Sequence, residues 1–139
     1  EIKTRTKNLE EKHKFKIGDD IIVEIGFFGN IDSSQKLHIG IGIDNWQDQR
    51  VFTLMSYNGK EKNEWQQFNR VKCYIPSVNL MPGNYKIKIA LNIGGTNKDI
   101  IQSYPVFEVI SHDYFGSGKL LNKNQGLIIK DAFWEFLDE

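Results

Sequence analysis

The stretch Leu37-His38-Ile39-Gly40-Ile41-Gly42-Ile43-Asp44 decides the fold. Leu37, Ile39, Ile41 and Ile43 fall on one side of an extended chain, and His38, Gly40, Gly42 and Asp44 on the other. A strand with one buried face requires this period of two. The same alternation recurs on both sides of it. Over residues 20–28, Ile21, Val23, Ile25 and Phe27 face one way, against Ile22, Glu24, Gly26 and Phe28. Over residues 84–93, Tyr85, Ile87, Ile89, Leu91 and Ile93 oppose Lys86, Lys88, Ala90 and Asn92. Further strands are expected at residues 50–57, 69–75 and 100–110, with an edge strand from residues 1–8.

Turn signals separate these runs: Gly18-Asp19-Asp20, Gly29-Asn30, Asn58-Gly59, Pro82-Gly83-Asn84 and Gly94-Gly95 all suit tight reversals. Seven or so short strands without a long amphipathic helix predict an all-β fold. The specific expectation is an antiparallel β-sandwich of immunoglobulin-like kind.

The chain has 139 residues, enough for one domain with its own core. Lys plus Arg and Asp plus Glu each number 18. The balance argues against a general nucleic-acid or membrane-surface binder, which needs a basic excess. A single cysteine, Cys73, excludes an internal disulfide framework and fits a reducing compartment. No apolar run approaches the ~20 residues that span a bilayer. The sequence opens on Glu1, which reads as a cut from a longer chain.

The last quarter differs from the rest. Residues 112–139 read as a linker and a terminal strand of the single 1–139 domain. Tyr114-Phe115-Gly116-Ser117-Gly118-Lys119 makes a glycine-rich exit, a polar loop ends at Gly126, and residues 127–134 are strongly apolar. A last strand on a long tether packs on its own domain or on a neighbour's, and the second arrangement is a strand swap.

No catalytic constellation is visible. His13 sits among lysines, His38 on the outward face of a strand, and His112 beside Asp113, without metal-ligand spacing. No metal and no other cofactor is therefore expected. Cys73 shares a face with Val71 and Ile75 and reads as a buried apolar residue. Gly116-Ser117-Gly118-Lys119 mimics the end of a phosphate-binding loop. However, Asp113 stands where the first glycine belongs, and Leu120 where Ser or Thr belongs.

Binding is better supported. Trp46 and Trp65 lie in polar surroundings. Each either stacks on a sugar ring or caps an end of the core. A second candidate is one sheet face. If Leu37 and Tyr85 with their partners point inward, His38, Gly40, Gly42, Lys88, Ala90 and Asn92 point outward, joined by Gln102 and Tyr104. The small residues would leave a shallow floor. His38, Lys88, Asn92, Gln102 and Tyr104 would ring it as a sugar groove. The opposite sheet, with Arg70, Lys72 and Tyr74 outward, is the rival site.

Several of these motifs, taken in order, resemble a known family. They are Ile17-Gly18-Asp19-Asp20-Ile21, Leu80-Met81-Pro82-Gly83-Asn84-Tyr85, Phe107-Glu108-Val109, Phe115-Gly116-Ser117-Gly118-Lys119, Gly126 and Trp134. The pattern resembles the C-terminal carbohydrate-binding domain of Wzt-type proteins, the ATP-binding subunits of ABC transporters that export O-antigen polysaccharide in Gram-negative bacteria. The resemblance implies a noncatalytic sandwich that binds the exported glycan at its non-reducing end. It also implies a homodimer built by exchanging the strand around residues 126–134. It implies an ATPase domain upstream, a membrane transporter subunit as partner, and a cytoplasmic location at the inner membrane. The alternative function is a protein-interaction or assembly domain that binds no sugar.

Overall fold

The computed structural model describes residues 1–26, 37–58, 70–93, 96–101 and 106–138. The strands, in chain order, are β1 (Ile2–Arg5), β2 (Lys14–Lys16), β3 (Ile21–Gly26), β4 (Leu37–Asp44), β5 (Arg50–Met55), β6 (Arg70–Ile75), β7 (Gly83–Ile93), β8 (Thr96–Ile101) and β9 (Val106–Ile110). Among the described residues the only helical turns are two 3-10 segments, Ser56–Asn58 and Lys123–Gln125. The fold is all-β, with two sheets layered as a sandwich.

One sheet has three strands in the order β1-β3-β6, and the other follows the path β2-β9-β7-β4-β5, with β8 also pairing β7. The alternation read from the sequence is realised in the core. Ile21, Val23 and Ile25 of β3 meet Ile39, Ile41 and Ile43 of β4 and Tyr85, Ile87 and Ile89 of β7, all at most 3% exposed. Tyr85 lies stacked on Phe107, with ring centroids 5.5 Å apart, and its hydroxyl donates to the Met81 carbonyl. Burial pushes the Tyr85 phenol up to about 12.

Two details depart from the expected strand set. The N-terminal run is divided between the layers: β1 pairs antiparallel with β3, whereas β2 pairs parallel with β9. The sandwich is thus mixed at this edge. Only Phe15 in β2 faces the core, between exposed Lys14 and Lys16. Three residues are too few for a readable alternation. The expected strand over residues 100–110 is instead β8 and β9, both antiparallel to β7.

The layers are tied at one end by the Gly18 turn. Gly18 takes φ +90, open to glycine at little cost. Its N–H donates to the Val78 carbonyl at 2.7 Å, and the Val78 N–H returns to the Asp19 carbonyl at 2.8 Å.

The tail is anchored briefly and then leaves. Ile128 bridges Leu80, the Ile129 N–H donates to the Asn79 carbonyl at 2.7 Å, and Ile129 is buried. Residues 130–138 form no regular structure. Phe133, Trp134, Phe136 and Leu137 are 99%, 84%, 92% and 72% exposed. A strand needs a neighbour to take its backbone hydrogen bonds, and past Ile129 the described residues of the single chain offer none.

Candidate functional site

The outer face of the six-stranded sheet is built by the β4–β7 pairing. His38 stands opposite Asn92, Gly40 opposite Ala90, Gly42 opposite Lys88, and Asp44 opposite Lys86. Three of the five expected binding residues therefore share one face. His38 and Asn92 are cross-strand neighbours, and Lys88 lies about 13 Å further along β7 at ~3.3 Å per residue. All three are half-buried. Gln102 and Tyr104 lie outside the described residues.

The floor between them is not bare. From β5, Met55 pairs with Gly40 and Thr53 with Gly42. A Cβ on Gly40 would lie 3.2 Å from the Met55 sulfur, and one on Gly42 only 2.4 Å from Arg50 Cζ. The two glycines thus admit side chains from β5 across the strand.

Arg50 and Asp44 form the electrostatic centre of the face. Asp44 is 1% exposed. Its Oδ1 accepts from Arg50 Nε, and its Oδ2 lies 2.9 Å from Lys88 Nζ. Arg50 Nη1 donates to Thr53 Oγ1 at 3.0 Å. Burial alone would push the Asp44 carboxyl up. The hydrogen bonds from Arg50 and Lys88 together more than reverse this and hold it below its ordinary value. A second pair, Lys86 with Asp48, extends the face.

Sequence reading missed Arg50 and Asp44. The available signal was an acid at an outward strand position whose cross-strand neighbours are the Lys86 and Lys88 pair. Arg50 is brought in by the Asn45–Gln49 turn: the Asn45 side chain accepts from the N–H groups of Gln47 and Gln49, both at 2.9 Å.

Trp46 closes the end of the core. Its ring meets Tyr85 edge-on at 6.1 Å and lies so close to Gly83 that a Cβ there would be 2.6 Å from it. Trp65 lies outside the described residues.

The rival face, on the three-stranded sheet, is also charged. Glu24 is 5% exposed and takes two bonds from Arg5, at 3.0 and 3.2 Å, and one from Arg70 at 2.9 Å. Lys72 approaches within 3.8 Å. The Arg5 hydrogen bonds chiefly hold the Glu24 carboxyl below its ordinary value, against the cost of burial. Tyr74 is 65% exposed. Val71, Cys73 and Ile75 pack against the core, and burial raises the Cys73 thiol.

Among the described residues no three His, Cys, Asp or Glu side chains converge as a metal would need, and no helix is long and apolar enough to cross a membrane.

Compared with solved structures, the two-sheet arrangement superposes on the crystal structure of the C-terminal domain of Wzt with a TM-score of 0.63, over 98% of this chain and 81% of that one. The chain has the fold of the Wzt C-terminal domain. Sequence identity over the match is 14%, so the likeness to Wzt is one of architecture. No family profile and no curated protein matches the sequence.

Proposed function

We propose that this domain is a noncatalytic carbohydrate-binding module that reads the non-reducing end of an O-antigen polysaccharide and couples that recognition to export by an ABC transporter. The observation that carries the reading is the placement of His38, Asn92 and Lys88 on one outer sheet face, in a domain with the Wzt C-terminal fold. Such a face offers donors and acceptors at strand spacing to the hydroxyls of a sugar end group. Gln102 and Tyr104 complete the proposed site. No cofactor enters the reading, because recognition of hydroxyls by side chains needs none. Single-site affinity is weak, since few protein contacts replace well-solvated hydroxyls.

The exposed tail supports a homodimer. Four large apolar side chains between residues 133 and 137 stand in water, and cover from a second copy would remove that cost. In this reading an ATPase domain precedes the sandwich, the membrane subunit of the transporter is its partner, and the assembly lies on the cytoplasmic side of the inner membrane. The same tail also favours a second reading, a protein-assembly domain that binds no sugar.

Titration with the O-polysaccharide of the strain that encodes the protein, beside that of an unrelated strain, separates the two. Saturable binding to the first alone upholds the glycan-reading module. Binding to neither by a folded dimer leaves the assembly domain.

A further inference from the structure

The outer face of the three-stranded sheet, in the layer opposite His38 and Lys88, ends in a cleft of about 200 Å³. Ile22, Tyr74 and Pro76 wall it, and Lys7 and Asp20 stand at its rim. Ile22 is 1% exposed, whereas Tyr74 beside it is 65% exposed. An exposed aromatic residue and a buried apolar one, cross-strand partners, thus line the same cleft. Lys7 and Asp20 also line a neighbouring, larger polar hollow of about 430 Å³, together with Thr6, Asn8, Glu10 and Asp19 among others.

The carboxylates at this junction are held in place. The Lys16 N–H donates to Asp19 Oδ2 at 2.8 Å, and the Ser77 N–H donates to Asp20 Oδ1 at 2.9 Å. Among the described residues, each carboxylate keeps its second oxygen for another partner. The backbone at one of the donors is strained: Ser77 has φ 48, a region non-glycine residues occupy at a cost.

The composition of the walls selects a ligand class. Lys7 and Lys12 face Glu10, Asp19 and Asp20 around the hollow, so an anion meets three carboxylates and a cation meets two ammonium groups. A purely apolar group satisfies the Tyr74 end and leaves the polar end without partners. A pyranose ring satisfies both, with a C–H face for Tyr74 and Ile22 and hydroxyls for Asp20, Lys7 and Asp19.

We propose that this cleft is a second saccharide-binding site, which takes one neutral hexopyranose with its C–H face on the Tyr74 ring. It goes beyond the glycan-reading function and rests on that reading only for the idea that both sites meet the same polymer. A polymer long enough to touch both layers then gains from two weak contacts.

The test is amide-resolved NMR of the full chain, titrated to tens of millimolar with the methyl α-glycosides of glucose, mannose and galactose. Sodium phosphate is the comparison. The expected result is saturable shifts at Lys7, Asp20 and Ser77 with at least one glycoside. Tyr74→Ala weakens that binding about tenfold, the scale of losing one aromatic contact, while Tyr74→Phe restores it. Phosphate moving these amides at lower concentration than any glycoside overturns the inference. Shifts confined to His38, Lys88 and Asn92 also overturn it and leave the proposed function standing. Shifts confined to the cleft uphold it and count against the site on the other sheet. No shift with any glycoside overturns it, and the O-polysaccharide titration then decides the proposed function independently.

Discussion

The Arg50 guanidinium lies across Gly42, where a methyl group would sit 2.4 Å from Arg50 Cζ. The absence of a side chain on β4 lets an arginine from β5 reach a buried aspartate on the same strand as the glycine.

Gly42→Ala should therefore displace Arg50 rather than the sheet, because the obstructed group is the far end of a flexible side chain. Asp44 keeps Lys88 and loses Arg50 Nε. The expected cost is about 1–3 kcal/mol, typical of a buried acceptor losing a charged donor. Thermal melts and the Arg Nε–H resonance measure it, and an unchanged resonance would refute the arrangement.

The buried carboxylates predict how stability falls in acid. Glu24 and Asp44 are both held below their ordinary values of 4.5 and 3.8. A lowered folded-state value contributes stability that is complete above the unfolded-state value and disappears as pH falls through the folded one. Unfolding midpoints in urea should hold steady down to about pH 5 and drop below pH 4. Glu24→Gln should lower the midpoint at neutral pH and make the acid decline shallower. A parallel decline in the variant would remove Glu24 from the account.

Trp46 should behave as a structural residue. Trp46→Ala opens a void against Tyr85 and Gly83 and should cost about 3 kcal/mol, read as a lower melting temperature. Trp46→Phe should recover part of it. Neither should abolish O-polysaccharide binding, and a folded Trp46→Phe protein that no longer binds would restore this tryptophan to the sugar site.

His38→Ala and Asn92→Ala should each weaken O-polysaccharide binding about tenfold, the loss of roughly one good hydrogen bond. Their melting temperatures should change little. Calorimetric titration reads the affinity. Unaltered binding in both would move the site off this face.

Removing residues 130–139 should convert a dimer to a monomer, seen by light scattering, while leaving the melting temperature of the sandwich nearly unchanged. Removing residues 127–139 also strips Ile129 from the core and should cost about 2–4 kcal/mol more. A dimer that survives the shorter truncation would exclude the tail as its cause.

The inward faces of β3, β4 and β7 were legible because each strand buries one side against the other layer, and this imposes alternation on the sequence. The sharing of one face by His38, Lys88 and Asn92 followed from that alternation and from the β4–β7 pairing. What was not legible depended on contacts distant in sequence or on how β5 packs beside β4. The parallel pairing of Phe15 with Val109 leaves no local mark. The reach of Arg50 to Asp44 goes with a register shift between Ile43 and Asp44 and with a glycine whose role emerges only once β5 is in place. The glycines suggested an open floor, and Arg50 and Met55 fill it. The tail reads as a strand because its residues are apolar, and in the single chain residues 127–129 find backbone partners beside Asn79, Leu80 and Met81.

The parallel pairing of β2 with β9 also sets the order in which the molecule can be made. Phe15 is synthesised well before its pairing partner Val109. Until then this edge of the six-stranded sheet has no neighbour, and the loop to be closed spans most of the domain. Folding should therefore be slow for the chain's length, as expected where distant pairings dominate, and a nascent chain stalled before Val109 should be the form most open to proteases.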